Sequence, residues 1–291
     1  VAAGVDAAAD LDAAGADVAL LRVPPMEEQG DMGMKLRVED LSFAYENGNV
    51  VFDGVSLGVE KGEVLSILGA NGCGKTTLLK CLNNVLKPRS GRVVVDGVET
   101  AGMSRVEIAK RIGFLPQVHV SAYPYTVRDV AVMGRAPYLS IVSSPGAADY
   151  AIAEESLASL GISHLAEKPY TKISGGERQL ALLAMVLTQK PEILLLDEPT
   201  SHLDFGNQIK TLTMIRRLSG MGYTVALTSH FPDHAFQLGC KVVIMKDGHI
   251  IAEGRAEDVV TEENLRRVYG VEIRIIYSED AGSKVCIPVM K

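Results

Sequence analysis

From Met34 onward apolar and polar positions alternate in short blocks, whereas the stretch before it is mostly Ala, Asp and Gly, broken by Pro24 and Pro25. Residues 35–41 alternate as a strand, and residues 50–59 read as a second strand pair turning at Asp53-Gly54. The run 64–68 has the near-continuous apolar character of a strand covered on both faces, and a glycine-rich turn leads from it into a helix over about 75–86. Residues 92–95 followed by Asp96-Gly97 read as strand and turn, and 112–114 as a short strand before Pro116. A helical middle covers 126–134, 148–160 and 175–189, punctuated by Tyr123-Pro124 and by Ser144-Pro145-Gly146. The last third alternates strand 193–196, helix 205–219, strand 224–228, helix 233–238 and strand 241–245. That order predicts an α/β fold, a mostly parallel sheet with flanking helices and an inserted helical lobe over about 119–189. Alternation at Val271, Ile273, Ile275 and again at Val285, Ile287, Val289, around 279–283, predicts an added hairpin. The chain divides into 1–33, a main domain over 34–270 and a C-terminal extension over 271–291.

Composition narrows the class. The chain has 291 residues, 47% hydrophobic and 22% charged, which fits a folded globular protein and excludes a disordered one. A net charge of −7 argues against a nucleic-acid partner. No apolar run approaches the roughly 20 residues needed to cross a bilayer, so membrane association is expected to go through a partner. Cys73, Cys81, Cys240 and Cys286 form no CxxC pair, which fits a reducing, cytosolic compartment. Residues 1–21 lack a basic segment and carry Asp6, Asp10, Asp12 and Asp17, which argues against a signal peptide. Residues 1–21 read as disordered or weakly helical, and, since the chain starts with Val while Met34 opens the first strand, residues 1–33 read as a disordered extension or one that comes from a misplaced start.

Gly69-Ala70-Asn71-Gly72-Cys73-Gly74-Lys75-Thr76 matches G-x-x-x-x-G-K-[ST] between an apolar strand and a helix, the context a phosphate-binding loop requires. Gly69, Asn71, Gly72, Cys73 and Gly74 form the loop whose N–H groups face phosphate oxygens. Lys75 reaches the β and γ phosphates, Thr76 offers a hydroxyl to Mg²⁺, and Thr77 completes the first helical turn. Cys73 reads as a small passive residue whose thiol could be reactive. The apolar strand 193–196 ends in Asp197-Glu198. Asp197 is placed to hold Mg²⁺, directly or through water, and Glu198, pointing the other way on a period-two strand, is free to act as general base toward water. Ser174 followed by Glu177 has capping-box spacing, and Gly175-Gly176 opens that helix end to an approaching anion.

The order of the phosphate loop, Gln117, Ile173-Ser174-Gly175-Gly176-Glu177, Asp197-Glu198, Ser201-His202-Leu203-Asp204 and His230 resembles the ATP-binding-cassette ATPases over about 34–270. The family usually has Leu-Ser-Gly-Gly-Gln where Ile173 and Glu177 stand at the ends here. The resemblance implies a P-loop NTPase core with an antiparallel β subdomain, and a protein that hydrolyses ATP with Mg²⁺. It implies that Tyr45 stacks on adenine, that Gln117 senses Mg²⁺ and the water, and that His230 hydrogen-bonds the γ phosphate. Ser174, Gly175 and Gly176 would close over the nucleotide of a second copy in an ATP-bound homodimer, with Asp204 tying the two subunits. The segment Thr126–Val130 with Met133-Gly134-Arg135, and Val268-Tyr269-Gly270 before the hairpin, resemble the ATPases of iron-siderophore, haem and cobalamin importers, a pattern that molybdate and tungstate importers share. The partners so implied are a membrane permease in two copies and, indirectly, a substrate-binding protein, with the ATPase peripheral on the cytoplasmic face. Residues 117–138, with Tyr123, Tyr125 and Tyr138, read as the permease dock. The alternative is a soluble cassette acting on ribosomes or DNA.

Overall fold

The computed structural model describes residues 33–117, 125–140, 142–280 and 282–290. The expectations for residues 1–21 and for Tyr123 lie outside them. In chain order the protein forms β1 (Met34–Ala44), β2 (Val50–Glu60), β3 (Val64–Gly69), α1 (Lys75–Leu82), β4 (Ser90–Val95), β5 (Val98–Glu99), α2 (Arg105–Arg111) and β6 (Ile112–Leu115). Then come α3 (Val127–Val132), α4 (Ala147–Ser159), α5 (Gly175–Thr188), β7 (Ile193–Leu196), α6 (Phe205–Gly220), β8 (Thr224–Ser229) and α7 (Pro232–Leu238). The chain closes with β9 (Lys241–Lys246), β10 (His249–Arg255), α8 (Ala256–Val259), α9 (Glu262–Tyr269), β11 (Ile273–Ser278) and β12 (Ser283–Pro288).

A six-stranded sheet in the order β10-β9-β3-β8-β7-β6 carries the architecture. Its strands run parallel except β10, which pairs antiparallel with β9. Successive residues of a strand point to opposite faces, and β7 shows what this does. Ile193 and Leu195 pack toward β1, β2 and α1, whereas Leu194 and Leu196 pack toward α3, α4, α5 and α6. A strand covered on both sides has no use for polar residues, which is why its sequence is continuous Ile and Leu. Each fully buried side chain of this kind contributes roughly 1.5–3 kcal/mol. A second, antiparallel sheet, β2-β1-β4-β5, supplies Leu36, Val38, Leu41, Phe52 and Val59 to the first of these faces. Lys35, 3% exposed, joins the two layers by reaching both oxygens of Asp96 (2.6 and 2.7 Å) and the Glu192 carboxylate. β3, β8 and β7 are neighbours, so the loops after Gly69, Ser229 and Leu196 leave the sheet side by side at its carboxyl edge, where open α/β sheets bind ligands.

Two expectations need correction. Residues 50–59 form one strand rather than two: Asp53-Gly54 is a bulge, at which Ser42 Oγ donates to Asp53 Oδ1 (2.5 Å) and accepts from the Gly54 N–H (3.0 Å). α1 stops at Leu82, not Leu86, because Asn84 turns left-handed (φ 52°) and the N–H groups of Val85 and Leu86 fold back to Lys80 O at 2.9 and 3.1 Å. The expected C-terminal hairpin forms, with Ile275 paired with Cys286 on the inner side and the Cys286 N–H donating to Asp233 Oδ1 of α7 (2.7 Å). Val285 and Ile287 consequently point outward and are 36% and 43% exposed.

Candidate active site

The loop after β3 curls back on itself because its glycines leave no room for side chains. A Cβ on Gly69 would lie 2.6 Å from both Cys73 Sγ and Met245 O. Gly74 caps α1 at φ 105°, a conformation that side chains resist, so the helix begins at Lys75 with its first N–H groups open. Lys75 is buried, and its ammonium donates to Gly69 O (2.8 Å) and Ala70 O (3.0 Å). A cleft of about 470 Å³ opens above it. It is lined by Tyr45 and Val51, by Asn71, Gly72, Gly74, Lys75, Thr76 and Thr77 of the loop and α1, and by Gln117 and Glu198. Tyr45 stands at right angles to the Phe43 ring (5.0 Å between centroids), its hydroxyl 3.3 Å from Thr77 Oγ1. Gly69 and Cys73 do not line this cleft, and burial holds the Cys73 thiol above the usual thiol range against the pull of Lys75.

Asp197, 2% exposed, accepts from Thr76 Oγ1 (3.0 Å) and Thr228 Oγ1 (2.8 Å) on the same oxygen, Oδ1. The chain then turns sharply. Glu198 is left-handed at φ 47°, which costs a non-glycine residue roughly 1–3 kcal/mol and persists only where neighbours over-determine it. Its N–H donates to Thr228 Oγ1 (2.8 Å), and its Oε2 accepts from Gln117 Nε2 (2.8 Å). His230 Nδ1 is 3.5 Å from that Oε2 and makes no hydrogen bond, its ring resting on Phe231 at 4.0 Å. The strand-periodic, free Glu198 is therefore corrected: it lies past the end of β7 and is held by Gln117 in the cleft.

A second group assembles elsewhere. Ser174 caps α5, its Oγ accepting from the Glu177 N–H (3.3 Å) while Glu177 accepts from the Ser174 N–H (2.7 Å). Those bonds hold the Glu177 carboxyl below the usual range. The two glycines differ: nothing lies within 4 Å of a Cβ on Gly175, whereas one on Gly176 would meet the Asn207 side chain at 2.6 Å. Asn207 in turn donates from N (2.8 Å) and Nδ2 (2.7 Å) to Asp204, which caps α6. Ser174, Gly175, Gly176 and Asp204 thus form one cluster through Asn207, and none of them lines the cleft above Lys75.

A family model described as ABC transporter matches residues 52–201. The ferric enterobactin transport ATP-binding protein FepC of Escherichia coli (strain K12) is 34% identical over 256 residues, covering 88% of this chain and 94% of FepC. This chain belongs to the ABC transporter ATPases. A solved structure described as an inward-facing conformation of a metal-chelate type ABC transporter superposes with a TM-score of 0.80 at 30% identity, covering 89% of this chain and 98% of that one. The dimeric structure of MJ0796, a bacterial ABC transporter cassette, superposes at 0.66 with 26% identity, covering 76% and 98%. The ABC ATPase binds ATP and couples its hydrolysis to transport. No helix among the described residues is long and apolar enough to cross a membrane.

Sequence reasoning missed two side chains of this ABC ATPase, Thr228 and Asn207, and left His234 unassigned. His234, 5% exposed, has Nδ1 3.3 Å from Ser229 Oγ and 3.5 Å from Thr200 Oγ1. Burial, with the charge of His230 adding, pushes its pKa from 6.5 down to about 4. The unfolded chain therefore binds a proton that the folded one refuses between those values, so stability is full above pH 6.5 and falls as pH drops toward 4. By pH 5 the loss from this residue is about 2 kcal/mol. Urea midpoints at pH 7.5 and pH 5 check it: the wild type loses more stability than His234→Gln does, and equal losses contradict the assignment.

Proposed function

We propose that this chain is the Mg²⁺-dependent ATP-hydrolysing subunit of an importer for a metal chelate of the iron-siderophore, haem or cobalamin kind. Two copies act with two copies of a membrane permease at the cytoplasmic face, and a substrate-binding protein delivers the cargo. The observation that carries the chemistry is Glu198, held by Gln117 beside His230 in the same cleft that Lys75 lines. Similarity to FepC and to a metal-chelate transporter supports the class of cargo.

The loop N–H groups and Lys75 bind the β and γ phosphates, the ammonium exchanging loop carbonyls for phosphate oxygens as a charge-assisted donor. Tyr45, Asn71, Gly72, Gly74 and Thr77 line the rest of the nucleotide site, with the Tyr45 ring as the platform for adenine, while Gly69 and Cys73 shape the turn of the loop from outside the cleft. Thr76 gives its proton to Asp197, which leaves hydroxyl lone pairs for a cation, and Gln117 gives an N–H to Glu198, which leaves its amide oxygen. With the Asp197 carboxylate these are the hard oxygen donors Mg²⁺ takes, and the residues present fit it. Bound there, the cation offsets charge on the phosphates. Glu198 accepts the proton of the attacking water, Gln117 fixes the carboxylate, and His230 donates to the γ phosphate. Ser174, Gly175 and Gly176 present the α5 N-terminus to the nucleotide of a second copy, and Asp204 joins the two subunits.

The permease docks on the lobe around Tyr125, which is 44% exposed. Tyr138 belongs to the lobe itself: its hydroxyl donates to Gln189 O (3.0 Å) and the Arg135 guanidinium covers its ring at 3.8 Å. Tyr125→Ala is expected to retain the ATPase activity of the free subunit and to lose copurification with a candidate permease coexpressed with it. Loss of both, or of neither, removes the dock from this surface.

A further inference from the structure

We infer that Thr228 is a positioning residue for hydrolysis, a single buried hydroxyl that sets the geometry of both carboxylates. The inference rests on Glu198 acting as general base. β8 is apolar through Val225, Ala226 and Leu227, and a hydroxyl at the next position is costly to bury unless it is bonded. Thr228 is 0% exposed and locked between neighbouring strands, with Ile67 of β3 as its partner in register. Its one proton goes to Asp197 Oδ1 (2.8 Å), and a lone pair receives the Glu198 N–H (2.8 Å).

The consequences for the two carboxylates differ. Asp197 Oδ1 is shared with Thr76 at 3.0 Å, so Thr228 holds from the sheet side the same oxygen that the phosphate loop holds from the other. Glu198 is the residue whose backbone is strained, and here Thr228 acts on the main chain. The Asp197 N–H is held by Leu115 O of β6 (2.9 Å), and the next N–H turns to β8 on the opposite side. Pinning successive N–H groups to opposite neighbours fixes the Asp197–Glu198 peptide plane and keeps φ at 47°. Without the hydroxyl that N–H is unpartnered, the peptide is free to relax toward an ordinary conformation, and the carboxylate swings away from Gln117. Thr228 lines no part of the nucleotide cleft, so it meets no phosphate and acts only through the two carboxylates.

Thr228→Val keeps the shape and removes the hydroxyl, and Thr228→Ser keeps the hydroxyl and removes a methyl group. Groups that orient a site from behind typically cost 10–100-fold when lost, so Thr228→Val is expected to lower kcat by about that factor. Equilibrium binding of a fluorescent ATP analogue in EDTA stays within about twofold, because without the cation the grip comes from Lys75 and the loop, which Thr228 does not touch. Thr228→Ser recovers most of the rate, and adding Thr228→Val to Glu198→Gln lowers the residual rate by less than about twofold, since both changes remove one function. Thr228→Ala carries the same expectation should valine disrupt folding. Wild-type turnover in Thr228→Val, equal loss in Thr228→Ser, or analogue binding that falls along with the rate overturns the inference. Wild-type turnover in Glu198→Gln alone refutes the general base, and the inference with it.

Discussion

Glu198→Gln is expected to bind ATP as the wild type does and to turn it over about 10²- to 10⁴-fold more slowly. The amide matches the carboxylate in size, and its oxygen can still accept from Gln117 Nε2, now at 2.8 Å, so the cleft wall survives. What goes is the basic oxygen that takes a proton from water. The proposed site grips ATP through Lys75, the loop N–H groups and the α1 N-terminus, none of which touches Glu198 among the described contacts. Phosphate release under saturating ATP, set beside equilibrium nucleotide binding, separates the two effects. Turnover at the wild-type rate with binding intact assigns the base elsewhere.

The three Asp-Gly pairs show how far local sequence reaches. At Asp96-Gly97 and Asp247-Gly248 both residues are left-handed (φ 50° and 75°, 48° and 79°), as a two-residue hairpin turn demands. Asp53-Gly54 has the same letters but bulges within one strand, because Ser42 on β1 and Gly248 O claim its polar groups. Those partners are distant in sequence, so the pattern alone predicted a turn. β10 and α2 were overlooked although Asp247-Gly248 and the Ser104/Glu107 capping box announce them. β7, β8 and β9 were placed within a residue because covering a strand on both faces leaves an unbroken apolar run.

The candidate site divides along the same line. Lys75, Thr76, Asp197 and Glu198 are legible because each follows its own strand at fixed spacing. The turn at Glu198 and the hydroxyl of Thr228 depend on β8 lying beside β7, and strand order is written in no single segment. The pair Gly175-Gly176 read as one opening; the fold keeps Gly175 open and fills the space over Gly176 with Asn207, a residue 31 positions on (207 − 176).

The central claim is that the engine is built from two copies. One chain carries one phosphate loop and one Ser174-Gly175-Gly176 helix end, and its own helix end lies outside its own cleft. On the proposed reading, the N-terminus of this 14-residue helix receives the γ phosphate of a second copy's ATP. Two such contacts, related by symmetry, add to whatever Asp204 and the surrounding surface contribute, and both disappear with the γ phosphate. Sedimentation of Glu198→Gln, which holds ATP without consuming it, tests this most directly. The account predicts twice the monomer mass with ATP and Mg²⁺ and the monomer mass with ADP. A monomer with both nucleotides, or a dimer of equal stability with both, contradicts it.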